Sequence, residues 1–362
     1  MNKSSLRREI LYASKHRDIF VEYELGWRRL EINDGIADKV WNLNREKDIV
    51  FFVGNENSEL RFLEGLPNAS VWIWLYGDET FRPGLNFNVI KNPAVIGVIR
   101  PYPFFRSKFF NDYRMWLKYI ITDTTLRNIS IKSLLNYIRY ILSSWIRILR
   151  SHTIGFMHIF FEKENVNFFP GYTNLFAQTF ISKFAPGKEA ISLLENTSNL
   201  VIEVQRLYDF SFVGQTGSPN RLRAIRVLEK HNSSLRKCIV LRDGFGGTEG
   251  SNGASLSTSN EYIDTLVNSR FSLCPSGNFA GASFRWFESL ILGAIPIQST
   301  RIPSDPCYES FVEYSFSARE PWSKLFNLAE QVSEEERLET YRKLMELLRV
   351  AVQGLNDRIS FR

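Results

Sequence analysis

The chain has 362 residues, 44% of them apolar and 23% charged, a mixture that excludes a disordered protein and gives length for two domains of roughly 150 residues. Its 45 basic and 39 acidic residues leave a net charge of +6, which favours anionic partners, yet no basic tract is long enough for a nucleic-acid arm. Cys238, Cys274 and Cys307 are too far apart for Cys-x-x-Cys pairing, so neither a disulfide framework nor a zinc site is indicated and a reducing compartment fits.

The opening residues, MNKSSLRREI, are charged and lack the apolar core of a signal peptide, and nowhere do about 18 apolar residues run uninterrupted. A cytoplasmic location is expected. Three apolar runs follow: DIVFFVG (48–54), SVWIWLYG (70–77) and AVIGVIR (94–100). Each stops at a turn or a charge, as parallel strands of an α/β sheet do. Ligands bind beyond the C-terminal ends of such strands, where Asp78 and Glu79 follow the second run and Arg100 and Tyr102 the third. A carboxylate there can take a proton from a substrate hydroxyl. Glu79 is the preferred base and Asp78 the second choice, while an ion pair with Arg100 is the structural alternative.

A long helical region is expected from about 111 to 150. Its last part, SLLNYIRYILSSWIRILR (133–150), carries a broad apolar face of Leu134, Leu135, Ile138, Ile141, Leu142, Trp145, Ile148 and Leu149. Arg139, Arg147 and Arg150 gather opposite, with no acid. Such a helix either packs on the first domain or lies on an anionic membrane surface.

The second half reads strand, glycine turn, helix, strand. FSFVGQTGS (210–218) leads into the helix NRLRAIRVLEKH and the strand KCIVLRDG, so Gly214 and Gly217 with Arg221 and Arg223 form a unit able to approach and neutralise a phosphate. The run from Gly244 to Ser259 reads as a Gly/Ser-rich loop. The segment FSLCPSGNFAGASFRWFESLILGAIPIQ (271–298) then gives a strand, a break at Pro275 and Gly277, a helix from about Ser283, a stop at Gly293 and a buried strand. Its helix start offers unpaired N–H groups of Ser283 and Phe284 to a diphosphate. Arg285 adds charge. Glu288, close to the same face, can accept hydrogen bonds from ribose hydroxyls. From about 322 to 355 one or two charged amphipathic helices are expected.

Four elements of the 271–298 segment, Phe-x-Leu-x-Pro-x-Gly, Ser-Phe-Arg, Glu and Gly-x-Ile-Pro, stand at 271–277, 283–285, 288 and 293–296. In that order they resemble the exostosin-like glycosyltransferases, and so do the Phe-x-Gly loop at 212–214 and VNFFPGYTNLF from Val166. The resemblance is strong over 198–300, weaker over 50–102 and 166–176, and absent over 111–160. It implies two Rossmann-like α/β domains facing across a cleft, the GT-B arrangement. The first would span 1–176 with a helical insertion at 111–160, the second 198–321, and the helices of 322–362 would pack back on the first. The implied reaction is inverting transfer of a sugar from a nucleotide sugar, a UDP-sugar foremost, to a glycan or lipid-linked glycan hydroxyl. Donor-side residues would be Gly214, Arg221, Arg223, Pro275, Gly277, Ser283, Phe284, Arg285 and Glu288, with Arg100 and Tyr102 on the acceptor side. Animal members are anchored by an N-terminal membrane helix, so the charged N-terminus here points to a microbial relative on the cytoplasmic side, peripheral to the inner face of the membrane if the 133–150 helix docks there. No Asp-x-Asp triplet is present, which points to leaving-group stabilisation by helix ends and arginines with no metal and no cofactor. The alternative is a non-catalytic nucleotide-sugar or polysaccharide-binding protein that keeps the donor fold.

Overall fold

The computed structural model describes residues 9–14, 17–31, 48–53, 57–64, 66, 68, 70–75, 82–100, 131–168, 171–188, 191–202, 204–214, 219–232, 234–241, 256–275, 284–299, 316–318 and 322–360. It is an α/β protein with two parallel sheets, and it divides into two compact units. Unit 1 takes residues 1–104, 150–169 and 350–362, and unit 2 takes 105–149 and 170–349.

Unit 1 is built on six parallel strands, β1 (Ile10–Ser14), β2 (Arg28–Glu31), β3 (Asp48–Val53), β4 (Val71–Leu75), β5 (Val95–Arg100) and β6 (Glu164–Asn167), in the order β2-β1-β3-β4-β5-β6. The apolar runs expected as strands are β3, β4 and β5. Every residue of β4 is buried, as in a parallel sheet covered on both faces. β1, β2 and β6 are additions to the sequence reading. β2 (RRLE) and β6 (ENVN) are the two edges, where half-exposed strands carry polar side chains and leave no apolar signal. Helix α1 (Ile19–Tyr23) links β1 to β2, and helix α2 (Pro83–Lys91), with proline in its first turn, links β4 to β5. Where β4 meets β5, Trp72 pairs with Gly97, and a Cβ at Gly97 would overlap the Trp72 ring. Glycine is what lets the indole cross that strand.

Helix α3 (Ile131–Phe160) is one continuous helix of 30 residues, which runs ten residues past the amphipathic 133–150 stretch to the end of the expected helical insertion. The part of the expected helix before 131 lies outside the described residues.

Unit 2 contains α4 (Asn174–Phe184), α5 (Leu193–Ile202), β7 (Tyr208–Gly214), α6 (Pro219–Lys230), β8 (Lys237–Leu241), α7 (Leu256–Val267), β9 (Ser269–Leu273), α8 (Phe284–Ile291), β10 (Ile295–Ser299), β11 (Phe316–Ala318) and α9 (Trp322–Glu330). Most of α10 (Glu334–Ser360) also belongs to it. The parallel sheet runs β11-β10-β9-β7-β8. Two segments differ from the sequence reading. Residues 256–259, read as the end of a Gly/Ser-rich loop, begin α7, and residues 198–202, where the second domain is expected to open, end α5. In α7 few positions are strongly apolar, so packing of Ile263 and Leu266, both fully buried, outweighs weak helical propensity.

Renumbered within each unit, both sheets begin with the strand order 2-1-3-4-5. The chain leaves the first strand to one side, returns, and continues on the other, so a topological switch point falls between β1 and β3 in unit 1 and between β7 and β9 in unit 2. Open α/β sheets bind ligands beyond the carboxyl ends of the strands at that point.

Candidate functional site

In unit 2 the strand ends at the switch point are Gly214 on β7 and Leu273 on β9, followed by Cys274 and Pro275, both buried. Gly214 has φ 152°, and a Cβ there would overlap Nη2 of Arg285. The guanidinium of Arg285 lies over the Phe212 ring with its carbon 4.8 Å from the centroid. Its Nε and Nη1 are buried with no hydrogen-bond partner among the described residues. A buried cation with unmet donors is costly unless an anion completes it. Arg285 is the second residue of α8, whose first N–H groups have no intrahelical acceptor. The same strand end therefore carries a cation held by cation–π contact, a glycine that gives it room, and the positive end of a helix.

Glu288 lies one turn further along α8 and is 5% exposed. Its Oε1 accepts from the backbone N–H and the hydroxyl of Thr173, both at 3.1 Å, and its Oε2 accepts from the Tyr262 hydroxyl at 2.7 Å. Thr173 is the N-cap of α4, its Oγ1 accepting from Phe176 N at 3.2 Å. One threonine thus caps α4 and ties it to α8. Tyr262 comes from α7, and the rings of Tyr172 and Phe287 and of Phe176 and Tyr262 pack around the pair with centroids 6.2 and 6.4 Å apart. Burial pushes the Glu288 carboxyl above its ordinary range, against the pull of Tyr262, Thr173 and the Arg285 charge. Burial likewise raises the Tyr262 hydroxyl well above its usual value, with the Glu288 charge adding to it, and lifts the Cys274 thiol to about 11. Three of the four lone-pair positions of the Glu288 carboxylate are occupied by protein donors.

Of the remaining donor-side residues, Arg221 and Arg223 are half-buried in the first two turns of α6, the helix that leaves β7 after Gly214. Phe284 is half-buried at the start of α8. Gly217, Gly277 and Ser283 lie outside the described residues. Sequence reasoning missed Phe212, Thr173 and Tyr262. Phe212 was within sight, two residues before Gly214 on the same strand, whereas nothing in the local sequence ties Thr173 or Tyr262 to Glu288.

Two buried arginines of unit 2 have a different task. Arg206 donates through Nη1 to the carbonyls of Leu292, at 3.1 Å, and of Val267, and Arg337 donates to Gly293 O at 2.8 Å. They satisfy the C-terminal carbonyls of α7 and α8 and oppose the negative ends of those helices. Burial, aided by the neighbouring Arg337, lowers Arg206 to about 10. Gly293 has φ 76°, the left-handed turn expected at the end of α8.

In unit 1 the switch point follows Ser14 on β1. The Tyr12 hydroxyl donates to Glu22 at 2.7 Å and accepts from Asp18 N at 3.1 Å, Arg17 pairs with Glu22 at 2.7 Å, and Asp18 caps α1 by accepting from Val21 N. Burial raises the Asp18 carboxyl to about 6, against its backbone hydrogen bonds and helped by the Glu22 charge. Asp78, Glu79 and Tyr102 lie outside the described residues. Arg100 is 2% exposed, and its Nη2 donates to Nε2 of His158 at 3.2 Å. That geometry makes Nε2 the acceptor and assigns the ring proton to Nδ1, 3.3 Å from Lys163 O. Arg100 thus joins β5 to α3.

Among the described residues no three His, Cys, Asp or Glu side chains group as metal ligands. No protein-family model matches the chain, and no curated protein matches it.

Proposed function

We propose that this chain is a glycosyltransferase that moves a sugar from a nucleotide sugar, a UDP-sugar foremost, to a hydroxyl of a glycan or lipid-linked glycan, with inversion and without a metal. The observation that carries the reading is Arg285, a half-buried arginine whose Nε and Nη1 are buried without a hydrogen-bond partner among the described residues, at the β7/β9 switch point beside Gly214, where a Cβ would displace it. A diphosphate there meets the Arg285 charge and the positive N-terminal end of the α8 dipole, and both stabilise the nucleotide as it leaves. No donor among the described residues takes the fourth lone-pair position of Glu288, which is the one assigned to a ribose hydroxyl. In the same reading the two units are Rossmann-like domains facing across a cleft. A carboxylate of unit 1, Glu79 first and Asp78 second, takes the acceptor proton as the acceptor oxygen bonds to the anomeric carbon and the bond to the phosphate oxygen breaks.

The test is a panel of UDP-, GDP- and CMP-sugars with nucleotide release as the readout. Release is expected with at least one donor, rising on addition of a glycan acceptor and falling about a hundredfold to a thousandfold in Arg285→Ala. Thermal stabilisation by a nucleotide without release would favour the binding-protein alternative. No stabilisation and no release with any donor would remove both.

A further inference from the structure

Helix α3 is amphipathic in the reverse sense from a core helix. In its last turns the buried positions are Ser151, Ile154 and His158, while Phe156, Ile159 and Phe160 point outward. Earlier in the helix Leu135, Ile138, Leu142 and Ile146 are exposed as well, and exposure across these seven residues runs from 44% at Ile138 to 75% at Ile159. Spacings of three and four residues within 135–146 and within 156–160, joined by a step of ten, keep them on one side of the helix. A stripe of this length on open surface marks an interaction site.

The charge pattern identifies the partner. Across Ile131–Phe160 the sequence has Lys132, Arg139, Arg147 and Arg150 and no acidic residue. Positions 132, 139 and 150 fall along one flank of the stripe, three or four residues from Leu135, Leu142 and Ile146. An apolar stripe flanked by cations alone suits a helix lying in the headgroup layer, where aliphatic side chains enter the acyl boundary and basic ones reach phosphates. No described helix is long and apolar enough to cross a membrane. Antiparallel pairing with a second copy would set cation against cation along that flank with no acid to offset them. We propose that α3 docks this protein on an anionic lipid surface through the Leu135–Phe160 stripe. This goes beyond the donor-site reading and does not depend on it.

The test is sedimentation of the full chain with vesicles of phosphatidylcholine containing about one third phosphatidylglycerol, against vesicles of phosphatidylcholine alone, at low and high salt. Binding to the anionic vesicles is expected, weakened by salt. Arg139→Gln with Arg150→Gln should weaken it about 25-fold, roughly fivefold for each cation lost. Leu142→Glu with Ile159→Glu should weaken it at least tenfold and leave the melting temperature unchanged, since both side chains are exposed. The proposal is overturned by absence of binding to anionic vesicles, or by equal binding to neutral ones. It is also overturned if the glutamate variant melts well below the wild type, which would mean that the chain itself covers the stripe. A dimer in analytical ultracentrifugation that the same variant dissociates would assign the stripe to a second copy.

Discussion

Glu288 is held by donors from two other helices, and that makes its substitutions informative. Glu288→Ala leaves the Thr173 N–H and the Tyr262 hydroxyl facing a void, so it should cost about 2–5 kcal/mol in urea unfolding. Glu288→Gln keeps an acceptor for Thr173 and lets the Tyr262 hydroxyl turn to accept from the amide, at about 1 kcal/mol or less. Equal stability of the alanine variant and the wild type would show that the network does not hold the helices together. Asp18 offers a titration. Its folded value, about 6, lies above the ordinary 3.8, so the protonated form is favoured by folding. Its contribution is complete below about pH 4 and is lost as pH rises through 6. Asp18 as a residue is half-buried, so the loss is discounted to about 1–3 kcal/mol. Asn keeps the cap and cannot ionise. Asp18→Asn should therefore remove this loss from stability measured between pH 4 and 7.5, and an unaltered pH profile in the variant would count against the raised carboxyl.

Elements differ in how much of themselves they write into the sequence. Strands β3, β4 and β5 are legible because strands buried on both faces read as near-continuous apolar runs, β7 because its apolar Phe210, Phe212 and Val213 run into Gly214, and the β9–α8–β10 unit because Pro275, Gly293 and the apolar spacing of α8 punctuate it. The edge strands β2 and β6 take their order from main-chain pairing with β1 and β5, which demands no particular side chains. β4 and β5 pack through Trp72 over Gly97, with the Glu164 Cβ on the other side. Gly97→Ala should cost about 1–3 kcal/mol by overpacking, read as a lower midpoint in urea with an unchanged slope. No change in midpoint would show that the indole can move aside.

At the scale of the whole molecule the two units carry the same strand order, and each presents a switch point with charged groups beside it, Arg285 in unit 2 and Asp18 with Glu22 in unit 1. If the proposed transfer reaction relies on arginine and helix ends, turnover should survive excess EDTA. Loss of activity on chelation, restored by magnesium or manganese, would reject the metal-free mechanism. Glu79→Gln or Asp78→Asn should slow turnover about a hundredfold to ten-thousandfold while leaving donor affinity in unit 2 unchanged, and near-normal rates in both would move the base elsewhere, with Asp18 next to test. The sequence by itself determined the α/β class, the buried strands and the strand–helix–strand unit that carries Arg285 on its helix, because each is written in residues near one another along the chain. Only the tertiary structure decided that Glu288 is bonded to Thr173, 115 residues away, and to Tyr262, 26 residues away, since partners at that separation are chosen by packing. It also decided which way α3 turns its apolar stripe. Helical periodicity is identical whether such a stripe meets a core or solvent, and only the neighbours of Ser151, Ile154 and His158 settle the direction.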